Sequence, residues 1–454
     1  MNNSMKFESN RIMNERPLAE GISVSNDTRQ TLLNNNDLII GPSGAGKTGG
    51  YVIPNLLALQ GSVIVADTKS NLRRQLAPVL ESRGYEIHTV DFVHPDQSVP
   101  YNPLDYITTD DDGELRDQDI MTIAAAMVSN LDSEEPFWET SARTVMACLI
   151  AYVKEVFPKN EQNLNTVAAV FRVMNNQYAE QKNLGNYVIP FLEEFAAVKP
   201  DSFCAKKYGM FKGCLPADRT WACVTQFVSS AIDVFDFRQA RALFGGKPVF
   251  QFGDLGHKKM AVFLNISDTD RTLDRIINLF YTQALQALCR EADSLPDSRM
   301  EVPVRLILDD FATNAFIPDF DKTISVIRSR EISVSVILQS LTQLETMYSA
   351  AAATTIVNNC DHVLYLGGND RKTAEFVSLY TNKPVEQVLS MPLDKVCLIT
   401  RGQKALLTDK IVPYAFEIPK PVAPAAPAKP SDEDKQELDW DDLEQFLADG
   451  EYPF

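Results

Sequence analysis

The spacing of apolar residues changes twice along this chain of 454 residues. Up to about residue 111, and again from about residue 238, apolar residues form short runs that are bounded by polar turns. Between these stretches they recur every three or four positions, as on one face of a helix. Short apolar runs are typical of strands buried on both faces of a parallel sheet. The pattern therefore predicts an α/β domain in two pieces, 21–111 and 238–417, with an all-α domain at 112–237.

Predicted strands and helices alternate in the two α/β pieces. The first piece has predicted strands at 21–25, 38–40, 61–66 and 86–91, and a predicted helix at 71–82. The second piece has predicted strands at 260–266, 302–308 and 332–338, and a long amphipathic helix at 272–290. Residues 1–20 are mainly polar, and no element is predicted there. Alternation of strands and helices favours a largely parallel sheet.

Residues 418–454 differ from the rest of the chain in composition. Regularly spaced prolines among alanines are typical of an extended spacer. A strongly acidic tail follows, in which four apolar residues fall at helical spacing, namely Trp440, Leu443, Phe446 and Leu447. The sequence leaves two interpretations open: a solubilising disordered tail, or an amphipathic helix that binds a partner.

The formal net charge of −18 argues against a general nucleic-acid binder, but about half of it lies in the tail. A ring-shaped translocase needs positive charge only where the strand passes, so net charge does not exclude one.

The seven cysteines are scattered, without a Cys-x-x-Cys pair, which disfavours zinc and a disulfide framework. No apolar run approaches the roughly 18 residues of a membrane-spanning helix, so no direct span is predicted.

One stretch matches the phosphate-binding loop pattern G-x-x-x-x-G-K-[ST] at every fixed position: Gly41, Pro42, Ser43, Gly44, Ala45, Gly46, Lys47 and Thr48. In such a loop the backbone N–H groups surround phosphate oxygens. Lys47 is predicted to reach the β- and γ-phosphates of ATP, and Thr48 to ligate Mg²⁺. Gly49 and Gly50, which are costly in a helix, indicate close approach of phosphate or of a packed neighbour.

An acidic pair, Asp309 and Asp310, follows the predicted strand at 302–308. In phosphate-loop ATPases the first carboxylate holds Mg²⁺ and the next polarises the attacking water. We assign these roles to Asp309 and Asp310; the alternative is a surface turn. Gln339, which follows the strand at 332–338, is able to hydrogen-bond the γ-phosphate or the attacking water. Two interpretations of Arg328 stay open. It lies in a solvated turn, or its guanidinium group stabilises charge across a subunit boundary.

These residues, with further blocks in the same order, resemble the coupling proteins of type IV secretion systems, the hexameric ATPases of conjugative DNA transfer. The similarity spans roughly residues 21–400. Its blocks are the phosphate loop with Ile53-Pro54-Asn55 behind it, Val65-Ala66-Asp67-Thr68-Lys69, Phe137-Trp138, Ala261-Val262-Phe263-Leu264 with Ser267-Asp268, Asp309-Asp310-Phe311-Ala312, Ile327-Arg328-Ser329, Gln339-Ser340 with Gln343-Leu344, and Thr373-Ala374-Glu375.

The resemblance implies a RecA-like nucleotide-binding domain with an inserted all-α domain. It further implies a homo-hexameric ring with ATP at the subunit interfaces, where Arg328 acts on the neighbour's nucleotide. Members couple ATP hydrolysis to export of a relaxase-bound single strand of DNA, and the all-α domain receives the relaxosome. The expected partners are therefore single-stranded DNA, a relaxase and a type IV secretion channel.

Two features depart from the family. Members usually carry Glu where this chain has Asp310, which is one methylene shorter, so we expect slow basal hydrolysis. Most members also have N-terminal membrane helices; without them we expect a cytoplasmic protein that a small membrane protein docks at the inner face of the membrane. Two alternatives to the single-strand motor stay open: a double-stranded-DNA translocating ATPase, and an adaptor that binds nucleotide without acting as a motor.

Overall fold

The structure is a computed structural model that describes residues 14–68, 70–110, 112–128, 136–180, 188–236, 238–311 and 316–414. The predicted spacer and acidic tail at 418–454, including the apolar stripe that begins at Trp440, lie outside these residues. So does most of the N-terminal segment that was predicted to be polar.

The strands of the described residues form a hairpin and one large sheet. They are β1 (Glu15–Ala19), β2 (Ile22–Ser25), β3 (Asp37–Ile40), β4 (Ser62–Ala66), β5 (Glu86–Asp91), β6 (Met260–Asn265), β7 (Val304–Leu308), β8 (Ile332–Leu338), β9 (His362–Tyr365), β10 (Lys395–Thr400) and β11 (Leu406–Asp409). β1 and β2 pair antiparallel. The other nine form a sheet in the order β11-β10-β9-β3-β8-β7-β4-β6-β5.

Parallel pairing runs from β9 to β5, whereas β10 is antiparallel to both of its neighbours. Every residue of β3, β4, β6 and β8 is buried, as expected of strands that are covered on both faces. In β3, Leu38 and Ile40 pack into one hydrophobic cluster and Ile39 packs into another. Because successive side chains of a strand point to opposite faces of the sheet, β3 contributes to a hydrophobic core on each face.

The α-helices of the described residues lie on both faces of the sheet and in a helical region between β5 and β6. They are α1 (Thr28–Thr31), α2 (Ile53–Leu57), α3 (Asn71–Ser82), α4 (Asp117–Met127), α5 (Pro136–Val156), α6 (Leu164–Glu180), α7 (Val188–Val198), α8 (Phe203–Lys212), α9 (Asp218–Ile232), α10 (Arg238–Gly245), α11 (Asp274–Ser294), α12 (Phe320–Val326), α13 (Leu341–Tyr348), α14 (Ala350–Asn358), α15 (Arg371–Thr381) and α16 (Val385–Leu389).

The helical region runs from α4 to α10, so its last helix extends beyond the predicted limit at residue 237. α5 lies at its centre and packs against α4, α8 and α9. Val145, Cys148 and Leu149 of α5 are fully buried, in the same cluster as Leu38 of the sheet. None of the helices in the described ranges combines the length and apolar character that a bilayer crossing requires. The proposed division into two domains remains a prediction.

One local prediction needs correction. The N-terminal segment was predicted to have no element, yet β1 lies there and buries Leu18 and Ala19. Directly after the phosphate loop, a π-helical turn (Thr48–Val52) precedes α2, so the helical backbone there is irregular. Pro54 contributes to this irregularity, since it has no N–H to continue the regular helical ladder.

A buried polar network explains why β1 was missed. Arg16 of β1 donates hydrogen bonds of 2.8 and 2.9 Å to the carboxylate of Asp37, at the start of β3. The Tyr51 hydroxyl donates to the same carboxylate at 2.6 Å, and Arg305 of β7 donates at 3.3 Å. Burial acts to raise the pKa of Asp37, but the two guanidinium groups outweigh it and lower the pKa to about 2. A buried arginine counts as a polar position in the sequence. The spacing of apolar residues therefore does not indicate the strand in which it lies.

Candidate nucleotide-binding site

The phosphate loop lies between β3 and the π-helical turn, at the carboxyl edge of the parallel strands. Its first residue is fixed by a hydrogen bond of 3.1 Å from the Gly41 N–H to the carbonyl of Leu338 in β8. Gly44 and Gly46 have φ angles of +80° and +92°, a region that favours glycine. The loop thus curves around its own lysine: Lys47 Nζ donates to the carbonyls of Gly41 and Pro42, at 2.8 and 3.2 Å.

The acidic pair lies at the same edge of the sheet, after β7. Thr48 Oγ1 donates a hydrogen bond of 2.8 Å to Asp309 Oδ2. Asp309 Oδ1 accepts a bond of 3.1 Å from the Asp310 N–H. Burial raises the pKa of Asp309 to about 6, although the hydrogen bond from Thr48 acts in the opposite direction. A hydroxyl beside a carboxylate is an all-oxygen donor set, which fits Mg²⁺.

Asp310, the second residue of the acidic pair, lies next to the lysine of the phosphate loop. Its Oδ1 lies 3.7 Å from Lys47 Nζ, and its side chain is 39% exposed, whereas that of Lys47 is buried. Its backbone φ is +47°, the left-handed region that costs a non-glycine residue energy. Strain of this kind persists where the surrounding structure imposes it, and here it directs the second carboxylate towards the lysine.

Gln339 lies between the loop and the acidic pair. β8 separates β3 from β7 in the sheet, and Gln339 directly follows β8. Its side chain is exposed at this edge, and its N–H donates to Gln343 Oε1 at 3.2 Å. The structure therefore brings together five predicted site residues, which are Lys47, Thr48, Asp309, Asp310 and Gln339. Their catalytic and metal-binding roles remain predictions.

Arg328 is the predicted site residue that lies elsewhere. It belongs to a short 3₁₀ turn (Ile327–Arg330) that precedes β8, at the opposite edge of the sheet. β8 has seven residues, so its two ends are about 20 Å apart. Arg328 is exposed and lines a cavity of about 210 Å³ together with Arg16, Arg305 and Glu331. It therefore does not reach the phosphate loop of its own chain.

A segment near the end of the described chain packs onto the phosphate loop, and sequence reasoning did not identify it. A Cβ on Gly49 would lie 2.9 Å from Pro413 Cβ and 2.9 Å from Tyr414 Cε2. A Cβ on Gly50 would lie 3.0 Å from the carbonyl oxygen of Ile411. The packed neighbour that these glycines predicted is thus this C-terminal segment. No local signal in the sequence marks it.

Comparison with known proteins agrees with this architecture. The sequence model of the family described as "Type IV secretory system Conjugative DNA transfer" matches residues 3–382. The protein VirD4 of Rhizobium rhizogenes and that of Agrobacterium fabrum are each 22% identical to this chain over 357 residues. Each alignment covers 75% of this chain and 48% of the relative, so the chain spans about half the length of these relatives.

Solved structures share the fold. The plasmid coupling protein TrwB in complex with ADP and Mg²⁺ has a TM-score of 0.64 at 13% identity, over 89% of this chain and 91% of that one. TrwB in complex with the ATP analogue ADPNP has a TM-score of 0.62 at 12% identity, over 90% and 92%. The predicted α/β fold class, RecA-like with inserted helices, is confirmed. With its family model matched over most of its length, the chain belongs to the type IV secretory system conjugative DNA transfer family.

Proposed function

We propose that the chain is an ATP-driven coupling protein that recruits a complex of relaxase and single-stranded DNA and moves it to a type IV secretion channel. The observation that carries the proposal is the convergence of Lys47, Thr48, Asp309 and Asp310 from segments that are more than 250 positions apart. Family membership supports the link to conjugative transfer.

In this proposal the loop residues hold the nucleotide and the acidic pair prepares the reaction. Lys47 exchanges its contacts with loop carbonyls for the β- and γ-phosphates of ATP. Thr48 and Asp309 hold Mg²⁺, which offsets the negative charge of the phosphates when it is bound. Asp310 and Gln339 orient and polarise the water that attacks the γ-phosphate.

The position of Arg328 supports a ring. Because it lies at the sheet edge opposite the phosphate loop, it contributes to hydrolysis only if a second copy of the chain presents it to the nucleotide. An arginine supplied in this way stabilises the charge that develops on the transferred phosphoryl group. Six copies in a ring, with ATP at each interface, satisfy this requirement for every site.

The helical region between β5 and β6 is the proposed receiver of the relaxosome. It is long, consists of helices in the described residues, and is not needed to build the nucleotide site. We propose that the assembled ring works at the inner face of the cell membrane, where a small membrane protein or the channel itself docks it.

The direct test is steady-state ATP hydrolysis by the purified chain with single-stranded DNA, with duplex DNA or with neither, beside a Lys47→Ala variant. We expect stimulation by single-stranded DNA that Lys47→Ala abolishes. Stronger stimulation by duplex DNA would instead indicate a double-stranded-DNA translocase.

An adaptor that binds nucleotide without productive turnover is the second candidate. The short side chain of Asp310, which lies 3.7 Å from Lys47 Nζ, is the observation that favours it. Tight ATP binding without hydrolysis under all three DNA conditions, and without activation in an Asp310→Glu variant, would support the adaptor over the motor.

A further inference from the structure

The strand directions place the end of β11 at the same edge of the sheet as the phosphate loop, with β10 and β9 between β11 and β3. β10 runs antiparallel to β9, and β11 runs antiparallel to β10, so β11 ends at the same edge as β3. The chain then returns across the ends of β10 and β9. We call residues 410–414, which make this crossing, the return segment.

Contacts at both of its ends hold the return segment against the loop and the neighbouring strand ends. Lys410 Nζ donates to the carbonyl of Leu366 at 2.8 Å and to that of Ala45, within the loop, at 3.4 Å. The Lys410 N–H donates to the carbonyl of Asp394 at 2.8 Å. Pro413 then packs on the loop itself, since a Cβ on Gly46 would lie 2.9 Å from Pro413 Cγ. The segment is therefore anchored on both sides of the crossing.

Tyr414 is the last residue of the return segment, and its aromatic ring is exposed. One edge of the ring lies against Gly49, which directly follows the proposed Mg²⁺ ligand Thr48. The residue is nevertheless 63% exposed, so most of the ring surface is open to solvent. Because most of the side chain is exposed, burial of the ring contributes little stability at this position. A flat ring beside a phosphate loop does, however, offer a surface on which another ring can stack.

The order of strands indicates which end of a nucleotide faces Tyr414. Asp309 and Gln339 follow β7 and β8, which lie on one side of β3. The return segment arrives from β11 across the ends of β10 and β9, on the other side of β3. A nucleotide whose γ-phosphate points to the acidic pair therefore extends its nucleoside towards the return segment.

We propose that Tyr414 is the stacking platform for the nucleobase, and that the return segment positions it there. Every base has a π-face, so a platform of this kind binds adenine and guanine alike. The inference rests on nucleotide binding at the phosphate loop and does not depend on the DNA substrate proposed above.

The test is isothermal titration calorimetry on the full chain, with ATP, GTP and inorganic tripolyphosphate as probes and no DNA present. The variants are Tyr414→Ala, Tyr414→Phe and, as a matched control in the same segment, the exposed residue Val412→Ala. Tyr414 has a φ of +59°, and alanine and phenylalanine bear similar backbone strain there, so the comparison isolates the ring.

We expect Tyr414→Ala to weaken binding of ATP and GTP on the order of tenfold, because stacking on an aromatic ring contributes that much per base. Tripolyphosphate should bind as before, and Tyr414→Phe and Val412→Ala should resemble the unmodified chain. Unchanged ATP affinity in Tyr414→Ala would overturn the proposal, and so would an equal loss for tripolyphosphate, which would mean that Tyr414 only shapes the loop. If the unmodified chain binds none of the probes, the nucleotide site itself fails.

Discussion

Thr48 and Asp309 are 261 positions apart in the sequence, yet the hydroxyl of one donates a hydrogen bond of 2.8 Å to the carboxylate of the other. The bond joins the end of the phosphate loop to the end of β7, across the strand that separates them in the sheet. It brings two oxygen ligands to one point. The sheet thus determines the position of the proposed Mg²⁺ site.

Removal of the Thr48 hydroxyl should weaken binding of the nucleotide only when Mg²⁺ is present. We expect Thr48→Ala to lower the affinity for Mg²⁺-ATP by about tenfold, because a hydrogen bond or ligand to a charged group contributes roughly 1.5–3 kcal/mol. Affinity for ATP in the presence of EDTA should change little. Titration of a fluorescent ATP analogue, with and without Mg²⁺, measures both quantities.

Thr48→Ser is the matched control, because it keeps the hydroxyl and loses only a methyl group. It should bind Mg²⁺-ATP nearly as well as the unmodified chain. Equal losses with and without Mg²⁺ in Thr48→Ala would show that Thr48 supports the loop rather than the metal.

The length of the second carboxylate should limit basal hydrolysis. Asp310 ends one methylene short of the Glu that the resemblance to coupling proteins implies at this position, so we expect Asp310→Glu to raise basal ATP turnover on the order of tenfold. Asp310→Asn should lower it by about 10²-fold or more, the range attributed to a positioned general base. Phosphate release in the absence of DNA is the measurement. A variant Asp310→Glu that is no faster than the unmodified chain would refute this explanation.

Arg328 should act on the nucleotide of a neighbouring subunit. We expect Arg328→Ala to lower ATP hydrolysis by about 10³-fold, the lower range for such arginines, without loss of ATP affinity. Arg328 is exposed, so the substitution should leave the free energy of unfolding nearly unchanged.

Mixing experiments separate action in trans from a local effect. Subunits with Lys47→Ala and subunits with Arg328→Ala are each expected to be inactive alone. In a mixed ring, some interfaces combine an intact loop from one copy with an intact Arg328 from the other, and these should hydrolyse ATP. Absence of any recovery, with ring assembly confirmed by light scattering, would contradict a role in trans.

The sequence predicted those site residues that directly follow a recognisable strand pattern. The phosphate loop, the acidic pair after β7 and the strand that precedes Gln339 each combine a short apolar run with a fixed polar end, and β8 was predicted with its observed bounds. Their spatial convergence follows from a rule, because the carboxyl ends of parallel strands share one edge.

Contacts between distant segments were not predictable in the same way. The Ala45 carbonyl and Lys410 are 365 positions apart, and nothing in either neighbourhood indicates the partner. β1 was missed for a related reason: Arg16 is polar in sequence but buried in the fold, where Asp37 neutralises it. Such pairs depend on tertiary packing rather than on periodicity.

The buried carboxylate of Asp37 should be essential for stability. In the fold it is fully buried and accepts from Arg16, Arg305 and Tyr51. Asp37→Asn removes the negative charge and leaves two guanidinium groups without compensation, which costs about 3–5 kcal/mol in comparable buried pairs. The midpoint of urea unfolding measures this loss. Asp409→Asn, which disrupts an exposed ion pair with Lys395, is the control and should cost at most about 1 kcal/mol.

The same carboxylate sets a direction for the pH dependence of stability. The pKa of Asp37 is about 2 in the fold, below its ordinary value of 3.8. A lowered pKa contributes stability above the unfolded-state value, and this contribution is lost as pH falls from about 4 towards 2. Unfolding midpoints measured between pH 7 and pH 3 should therefore fall more steeply for the unmodified chain than for Asp37→Asn. Parallel curves would mean that other carboxylates dominate acid unfolding.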